Sequence, residues 1–179
     1  MRDLFTAGTP QTIADVLHSK DERVWQQQQL LNQFPQGTVV ALKMNVPGPI
    51  KTNAQLQDLF AVGKQQLEAK FQDVTQLQAP VVTTTNAGTE VFYVFAEAGL
   101  AAKRRAIAFE DQEPVGRLFD ADVLMRDHQH YSRSELGDSV RRCFLCERPA
   151  KECGRNRTHS VAELQAYFNR IATEVLGDD

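Results

Sequence analysis

Asp120 and Asp122 are separated by one residue inside the otherwise apolar run Gly116-Arg117-Leu118-Phe119-Asp120-Ala121-Asp122-Val123. In a strand, residues i and i+2 project from the same face. The two carboxylates would stand side by side, while Phe119, Ala121, Val123 and Met125 turn the other way into a core. Like charges that close repel each other. A divalent cation that prefers oxygen ligands, such as Mg2+, would remove the repulsion. This arrangement points to chemistry on phosphates, with Gly116 allowing a close backbone approach and Arg117 acting as a phosphate clamp. The plainer alternative is two solvated acids on the wet face of an antiparallel strand, although Asp is depleted in strands.

Three other stretches carry chemistry. Pro47-Gly48-Pro49-Ile50-Lys51 is either only a stiff turn or a rigid holder that presents Lys51 as a point charge to a triphosphate. Cys143-x2-Cys146-x6-Cys153-x5-His159 is a complete set of four soft ligands that could hold structural Zn2+, although the spacing matches no common finger. The same thiols could simply be reduced and packed, and no base is evident beside any of them to make a nucleophile. Arg133, Arg141, Arg142, Lys151, Arg155 and Arg157 outnumber the neighbouring acids Glu135, Asp138, Glu147 and Glu152. Such charges are often only solvated, but this excess would also suit a polyanionic ligand or an acidic partner.

The elements that must position these groups follow from periodicity. Thr9-Pro10 reads as a helix start, followed by Ile13, Val16, Leu17, Val24, Leu31 and Phe34 at helical spacing, with Trp25 packing on the helix and Pro35-Gln36-Gly37 ending it. Thr38 to Val46 alternates, which predicts a strand with one apolar side: Val40, Leu42, Met44 and Val46 on that face, Lys43 and Asn45 on the other. Asn53 caps a helix with a buried stripe of Leu56, Leu59, Phe60, Leu67 and Phe71. Residues 80–85 and 91–95 form a hairpin around Asn86-Ala87-Gly88. A helix from Gly99 to Glu110 has Leu100, Ile107 and Phe109 inward, and the strand carrying Asp120 and Asp122 follows. Residues 127–130 read as a turn. Ser160-Val161-Ala162-Glu163 is a capping box that opens a last helix.

After the first helix this order is βαββαβ, which predicts an α+β fold with a ferredoxin-like, palm-like sheet. Its first and last strands would lie side by side and its second face would be open, placing Lys43 and Asn45 beside Asp120 and Asp122. The chain of 179 residues is expected to be one catalytic domain, with an N-terminal helical segment at 1–36, an α+β core at 37–133 and a Cys-rich, helical C-terminal extension at 134–179. A net charge of −3 argues against bulk nucleic-acid binding. No run of about 20 apolar residues offers a membrane span, so no membrane partner is expected. No export signal is visible, and three clustered cysteines do not form a disulfide framework. The cytoplasm is the expected compartment.

The octet at 116–123, together with Ser132-Arg133, Arg141-Arg142-Cys143-Phe144-Leu145-Cys146, Cys153, His159, the Pro-Gly-Pro-Ile-Lys turn and Asp21-Glu22-Arg23, resembles one family over residues 16–164. That family is the citrate lyase holo-acyl-carrier-protein synthases, or apo-citrate lyase phosphoribosyl-dephospho-CoA transferases. Ala121 stands where a larger aliphatic residue is expected. The resemblance implies a nucleotidyltransferase whose donor is triphosphoribosyl-dephospho-CoA. Its acceptor would be a serine hydroxyl of the citrate lyase acyl carrier protein, the γ subunit. The hydroxyl would attack the phosphorus nearest the ribose and diphosphate would leave.

On this reading Asp120, Asp122 and Arg117 are catalytic, with Mg2+ between the aspartates. Lys43, Asn45, Lys51, Gly116, Arg133, Arg141 and Arg142 bind substrate. The alternatives are the same chemistry on another lyase or decarboxylase carrier, or a non-enzymatic RNA-binding module with a zinc-ribbon-like tail. Two acids on the open sheet face, where an RNA-binding sheet would want aromatics, count against the last.

Overall fold

The structure is a computed structural model that describes residues 2–112, 115–126 and 131–177. The turn expected at 127–130 lies outside the described residues. The first helix, α1 (Ile13–Gln33), starts three residues later than Pro10 suggests. Thr12 takes the cap because Asp15 answers it: the Asp15 N–H donates to Thr12 Oγ1 at 3.2 Å, and the Thr12 N–H donates to Asp15 Oδ2 at 2.8 Å.

Strand β1 (Thr38–Met44) is followed by α2 (Ala54–Lys70), β2 (Val81–Thr85), β3 (Gly88–Phe95), α3 (Gly99–Gln112) and β4 (Phe119–Leu124). The sheet order is β2-β3-β1-β4, with every neighbouring pair antiparallel. The architecture is therefore a mixed helix and antiparallel sheet, as the periodicity predicts. The 3-10 turn Gly116–Leu118 leads into β4. Two helices, α4 (Ala150–Asn156) and α5 (Val161–Leu176), complete the chain, and sequence reasoning missed α4. No described helix is long and apolar enough to cross a membrane.

One sheet face carries Val40, Leu42, Val91, Tyr93, Phe119, Ala121 and Val123 and is buried under α2, α3 and α5. Phe119 is clamped by Phe60 and Phe109, with ring centroids 5.6 and 5.7 Å away. Gly63 on α2 faces the same ring, and a Cβ there would lie 2.3 Å from Phe119 Cζ. Helix α5 opens on the expected Ser160–Glu163 capping box and contributes Phe168, Ile171 and Ala172 to this core.

Three expectations need correction. The second sheet face is not open throughout, because Leu30 and Leu31 of α1 cover Val39, Ala41, Phe92 and Val94. Strand β1 is consequently buried on both sides over Thr38 to Leu42, not on one. The apolar residues of α1 from Ile13 to Trp25 do not pack inward: Ile13 is 82% and Trp25 62% exposed, and Val16, Leu17 and Val24 are also exposed. Leu100 is likewise exposed, whereas Ala102 and Ala106 carry the buried stripe of α3. Helical spacing identifies an apolar stripe but not the neighbour that covers it.

Gly63→Ala is expected to destabilise the fold. Overpacking costs about 1–3 kcal/mol, and Phe119 cannot rotate away between its two ring neighbours, so this outweighs the ~1 kcal/mol that Ala gains over Gly in a helix. Urea unfolding should show a lower midpoint at unchanged slope.

Candidate active site

The uncovered end of the second sheet face is charged because of the strand register. On β1, Lys43 is opposite Glu90 of β3 and Asp120 of β4, and Ala41 is opposite Asp122. Lys43 Nζ lies 3.9 Å from Asp120 Oδ2. Arg23 reaches down from α1 to Glu90 at 3.0 Å. Arg141 arrives from the tail and donates from Nη1 to Asp120 Oδ1. The row Arg23, Glu90, Lys43, Asp120, Arg141 therefore alternates in sign across the sheet, so each inner charge has opposite neighbours. Burial raises the Glu90 carboxyl above the usual carboxylate range, and Arg23 and Lys43 oppose that shift.

The turn before β4 depends on Gly116. A Cβ there would lie 2.0 Å from the Phe109 carbonyl oxygen, so only glycine lets the turn seat on the end of α3. Arg141 then fastens the tail to this turn. Its Nη2 donates to the carbonyls of Arg117 at 2.8 Å and Phe119 at 2.7 Å. Arg117 returns the contact, donating to the Arg142 carbonyl at 2.8 Å.

Beneath them Glu110, which is buried, accepts the Ala121 N–H at 2.8 Å and Arg133 Nη2 at 2.6 Å, with Arg141 Nη1 at 3.8 Å. Arg133 uses its other nitrogen on Asp111 at 2.7 Å. A buried carboxylate survives only with partners of this kind. Glu110 was missed by sequence reasoning, although it extends the buried stripe of Ala102 and Ala106 by one more helical turn, and an acid on such a stripe is a signal.

Two cavities flank the charge row and both are lined by Asn45. The larger, about 770 Å3, lies between the sheet edge and the tail. Its lining includes five cationic side chains, Arg117, Arg141, Arg142, Lys151 and Arg157, and a single acid, Asp120. Cys143, Phe144, Cys153, His159, Val161 and Leu164 form the tail side. The smaller, about 260 Å3, holds Lys43, Lys51, Arg23 and Glu90. Lys51 Nζ donates to the Val46 carbonyl at 2.6 Å. Burial, and secondarily the Lys43 charge, holds the Lys51 ammonium pKa below the usual 10.5.

The structure thus brings Arg117, Asp120, Arg141, Arg142 and Asn45 together around the larger cavity, and Lys43 and Lys51 around the smaller. Asp122 is exposed on the same strand face as Asp120 but is outside both linings, as are Gly116 and Arg133. The cysteines and histidine converge, with Cys146 Sγ 3.4 Å from Cys153 Sγ and 3.3 Å from His159 Nε2. A base does therefore stand beside a cysteine, contrary to what spacing suggests. The Arg148 amide and His159 hold the Cys146 thiol down at about 7.

A family model described as apo-citrate lyase phosphoribosyl-dephospho-CoA transferase matches residues 11–175. The chain is 35% identical over 182 residues to a Streptococcus pyogenes serotype M3 protein named "Probable apo-citrate lyase phosphoribosyl-dephospho-CoA transferase", covering 99% of this chain and 94% of that one. It is 32% identical over 165 residues to proteins named apo-citrate lyase phosphoribosyl-dephospho-CoA transferase from Shigella boydii serotype 18 and Escherichia coli O157:H7, covering 92% of this chain and 90% of each.

Glu110→Gln keeps the size but leaves two guanidinium groups facing an uncharged amide. Arg133 keeps Asp111 and Arg141 keeps Asp120, so the loss is that of weakened charged hydrogen bonds, about 1–3 kcal/mol, and urea denaturation should show a loss of that order.

Proposed function

The chain belongs to the apo-citrate lyase phosphoribosyl-dephospho-CoA transferases, an enzyme family, and from that premise we propose that it transfers phosphoribosyl-dephospho-CoA from its triphosphate donor to a serine of the citrate lyase acyl carrier protein γ subunit, releasing diphosphate. The observation that carries this reading is the cavity of about 770 Å3 whose lining sets five cations around Asp120. That volume lies within the ordinary range of small-molecule sites, and its charge suits a polyphosphate. We read residues 1–179 as one catalytic domain with a ferredoxin-like, palm-like sheet, working in the cytoplasm. The family assignment removes the support for a non-enzymatic RNA-binding module. Another lyase or decarboxylase carrier would use the same chemistry, and only the acceptor would differ.

The serine oxygen forms a bond to the phosphorus nearest the ribose as the bond to the departing diphosphate breaks, and the hydroxyl proton is released. Such a transfer needs alignment and charge neutralisation above all. Arg117, Arg142 and Lys151 neutralise the donor phosphates and the leaving group. Arg141 orients Asp120 and holds the tail over it. Lys43 and Lys51 receive the outer phosphates at the smaller cavity, which shares Asn45 with the lining of the larger one.

Asp120 and Asp122, two carboxylates on one strand face, fit the donor set of a hard divalent cation, and they would hold Mg2+. When bound, that ion would neutralise phosphate charge and lower the pKa of the hydroxyl. Gly116 seats the turn, Arg133 steadies Glu110, and Phe144, Val161 and Leu164 offer apolar surface to the dephospho-CoA portion. The basic tail is the surface that would meet an acidic carrier protein.

Asp120→Asn and Asp122→Asn should each lower transfer of labelled donor to the apo carrier by about 10²-fold or more, with folding checked by circular dichroism. Near-wild-type rates in both would sink the metal-carboxylate assignment. A wild-type protein that leaves the apo carrier unmodified would sink the transfer itself.

Lys51 supplies a pH signature. Its ammonium pKa is lowered, so it loses its charge at a lower pH than an ordinary lysine, and donor KM should rise before pH 10.5 is reached. Lys51→Arg keeps the charge and should move that alkaline rise to higher pH in a KM–pH profile.

A further inference from the structure

The transfer reaction leaves the cysteine motif unused, and the tail around it, pinned by Arg141 at one end and by Phe144 stacking on Tyr167 at 4.5 Å, has little apolar core of its own. Between residues 141 and 159 the only buried residue is Cys153. The helix α4 has seven residues, too few to be stable unaided. Small segments without a core need a staple.

The backbone nevertheless converges tightly. Arg142 bridges to Pro149, the Cys143 N–H donates to the Arg148 carbonyl at 2.8 Å, and the Ala150 N–H donates to the Arg141 carbonyl at 2.8 Å. This narrow turn carries Cys143 and Cys146. Cys153 points back from α4. Arg157 then takes a left-handed conformation, φ 47°, and the Thr158 N–H closes onto the Cys153 carbonyl at 3.1 Å, which brings His159 round.

The four ligand atoms of Cys143, Cys146, Cys153 and His159 all lie within 4.8 Å of one another. A tetrahedral zinc with Zn–S of about 2.3 Å and Zn–N of about 2.0–2.1 Å has ligand–ligand edges of roughly 3.6–3.8 Å. The separations of 3.4 Å and 3.3 Å around Cys146 are a few tenths shorter. A disulfide needs about 2.05 Å between sulfurs, and the cysteines are free. The Leu145 N–H faces Cys143 Sγ at 3.5 Å, the kind of outer contact that supports a bound thiolate. Three thiolates and one neutral imidazole on Zn2+ leave a net charge of −1, and Arg142, Arg148, Lys151, Arg155 and Arg157 in the same segment offset it.

We propose that Cys143, Cys146, Cys153 and His159 bind a structural zinc ion that fixes the tail wall of the larger cavity. With four protein ligands the site is closed, which makes it structural and not catalytic. Cys143, Cys153 and His159 line the cavity beside Arg142, Lys151 and Arg157, so the ion holds those cations over Asp120. That positional role rests on the transferase reading, whereas zinc binding itself does not.

The full chain, purified under reducing conditions without chelator, should contain about one zinc per chain by elemental analysis. Cobalt substitution should give the absorption bands of a tetrahedral thiolate site, and zinc should protect the thiols from alkylation. Cys146→Ser and Cys153→Ser should each lose the stoichiometric metal. Because those variants could fail to fold, wild-type protein stripped with chelator is titrated with zinc alone, and saturation at one equivalent with a higher melting temperature supports the site. No zinc as purified and none taken up by stripped, folded protein would overturn it. So would a native Cys146–Cys153 disulfide by mass spectrometry, or unchanged zinc content in folded cysteine variants. Stoichiometric zinc in a protein that fails to modify the carrier would leave this site standing and remove the transferase reading.

Discussion

The register between β1 and its two neighbours is the constraint from which the charged surface follows. Strand side chains alternate with a period of two, so a one-residue slip would drive Lys43, Asp120 and Asp122 under the helices and turn Leu42 and Val123 to solvent. Phe119, wedged among Phe60, Gly63 and Phe109, makes that slip prohibitive. Apolar packing on one side of the sheet thus fixes the order of charges on the other. The alternating row from Arg23 to Arg141 is the result: each inner charge is flanked by opposite ones, so groups that would repel in pairs are held close together.

The same row joins regions distant in sequence. Arg23 belongs to the first helix, Glu90 and Lys43 to the sheet, and Arg141 to the tail. Arginine suits the outer position because its planar fork can meet a carboxylate and two carbonyls at once, which an ammonium cannot. Arg141 does this with Asp120, Arg117 and Phe119. Below it, Glu110 ties α3, β4 and the segment at Arg133 into one polar network. The cavity exists because the tail is held at a distance from the sheet by these contacts and by the short helix that follows.

Where a local period carried the information, sequence reasoning succeeded. Alternation and element order placed Lys43 on the face beside Asp120, the stripe from Leu56 to Phe71 named the buried face of α2, and Ser160 with Glu163 marked the start of α5. It failed where the deciding partner lies far along the chain. Glu110 makes sense only once Arg133 and Arg141 fold back onto it, and no window around residue 110 contains them. The first helix is periodic throughout, yet only Leu30 and Leu31 find a sheet to cover, so the same pattern yields a buried end and an exposed one. The meeting of Cys146 with His159 depends on a left-handed residue, Arg157, whose conformation nothing in its side chain foretells. Residue types and strand phase pointed to phosphate chemistry at Asp120 and Asp122 but left the substrate open, and only the motif resemblance narrowed it to one transfer.

The two ends of the chain close on each other. The Leu4 N–H donates to Asn169 Oδ1 at 3.0 Å across 165 positions, and Leu4 shares a core with Phe168. During synthesis from the N-terminus the sheet and its first helices emerge before α5. Without Phe168 and Ile171, Leu4 and the part of α2 that packs against α5 would be exposed to water. Closing so long a loop adds entropy only logarithmically, but its high sequence separation slows the final step. Helix α5 is therefore the seal of this core: the strands and α2 can pair and pack before it docks, but their apolar surface is closed only by Phe168 and Ile171.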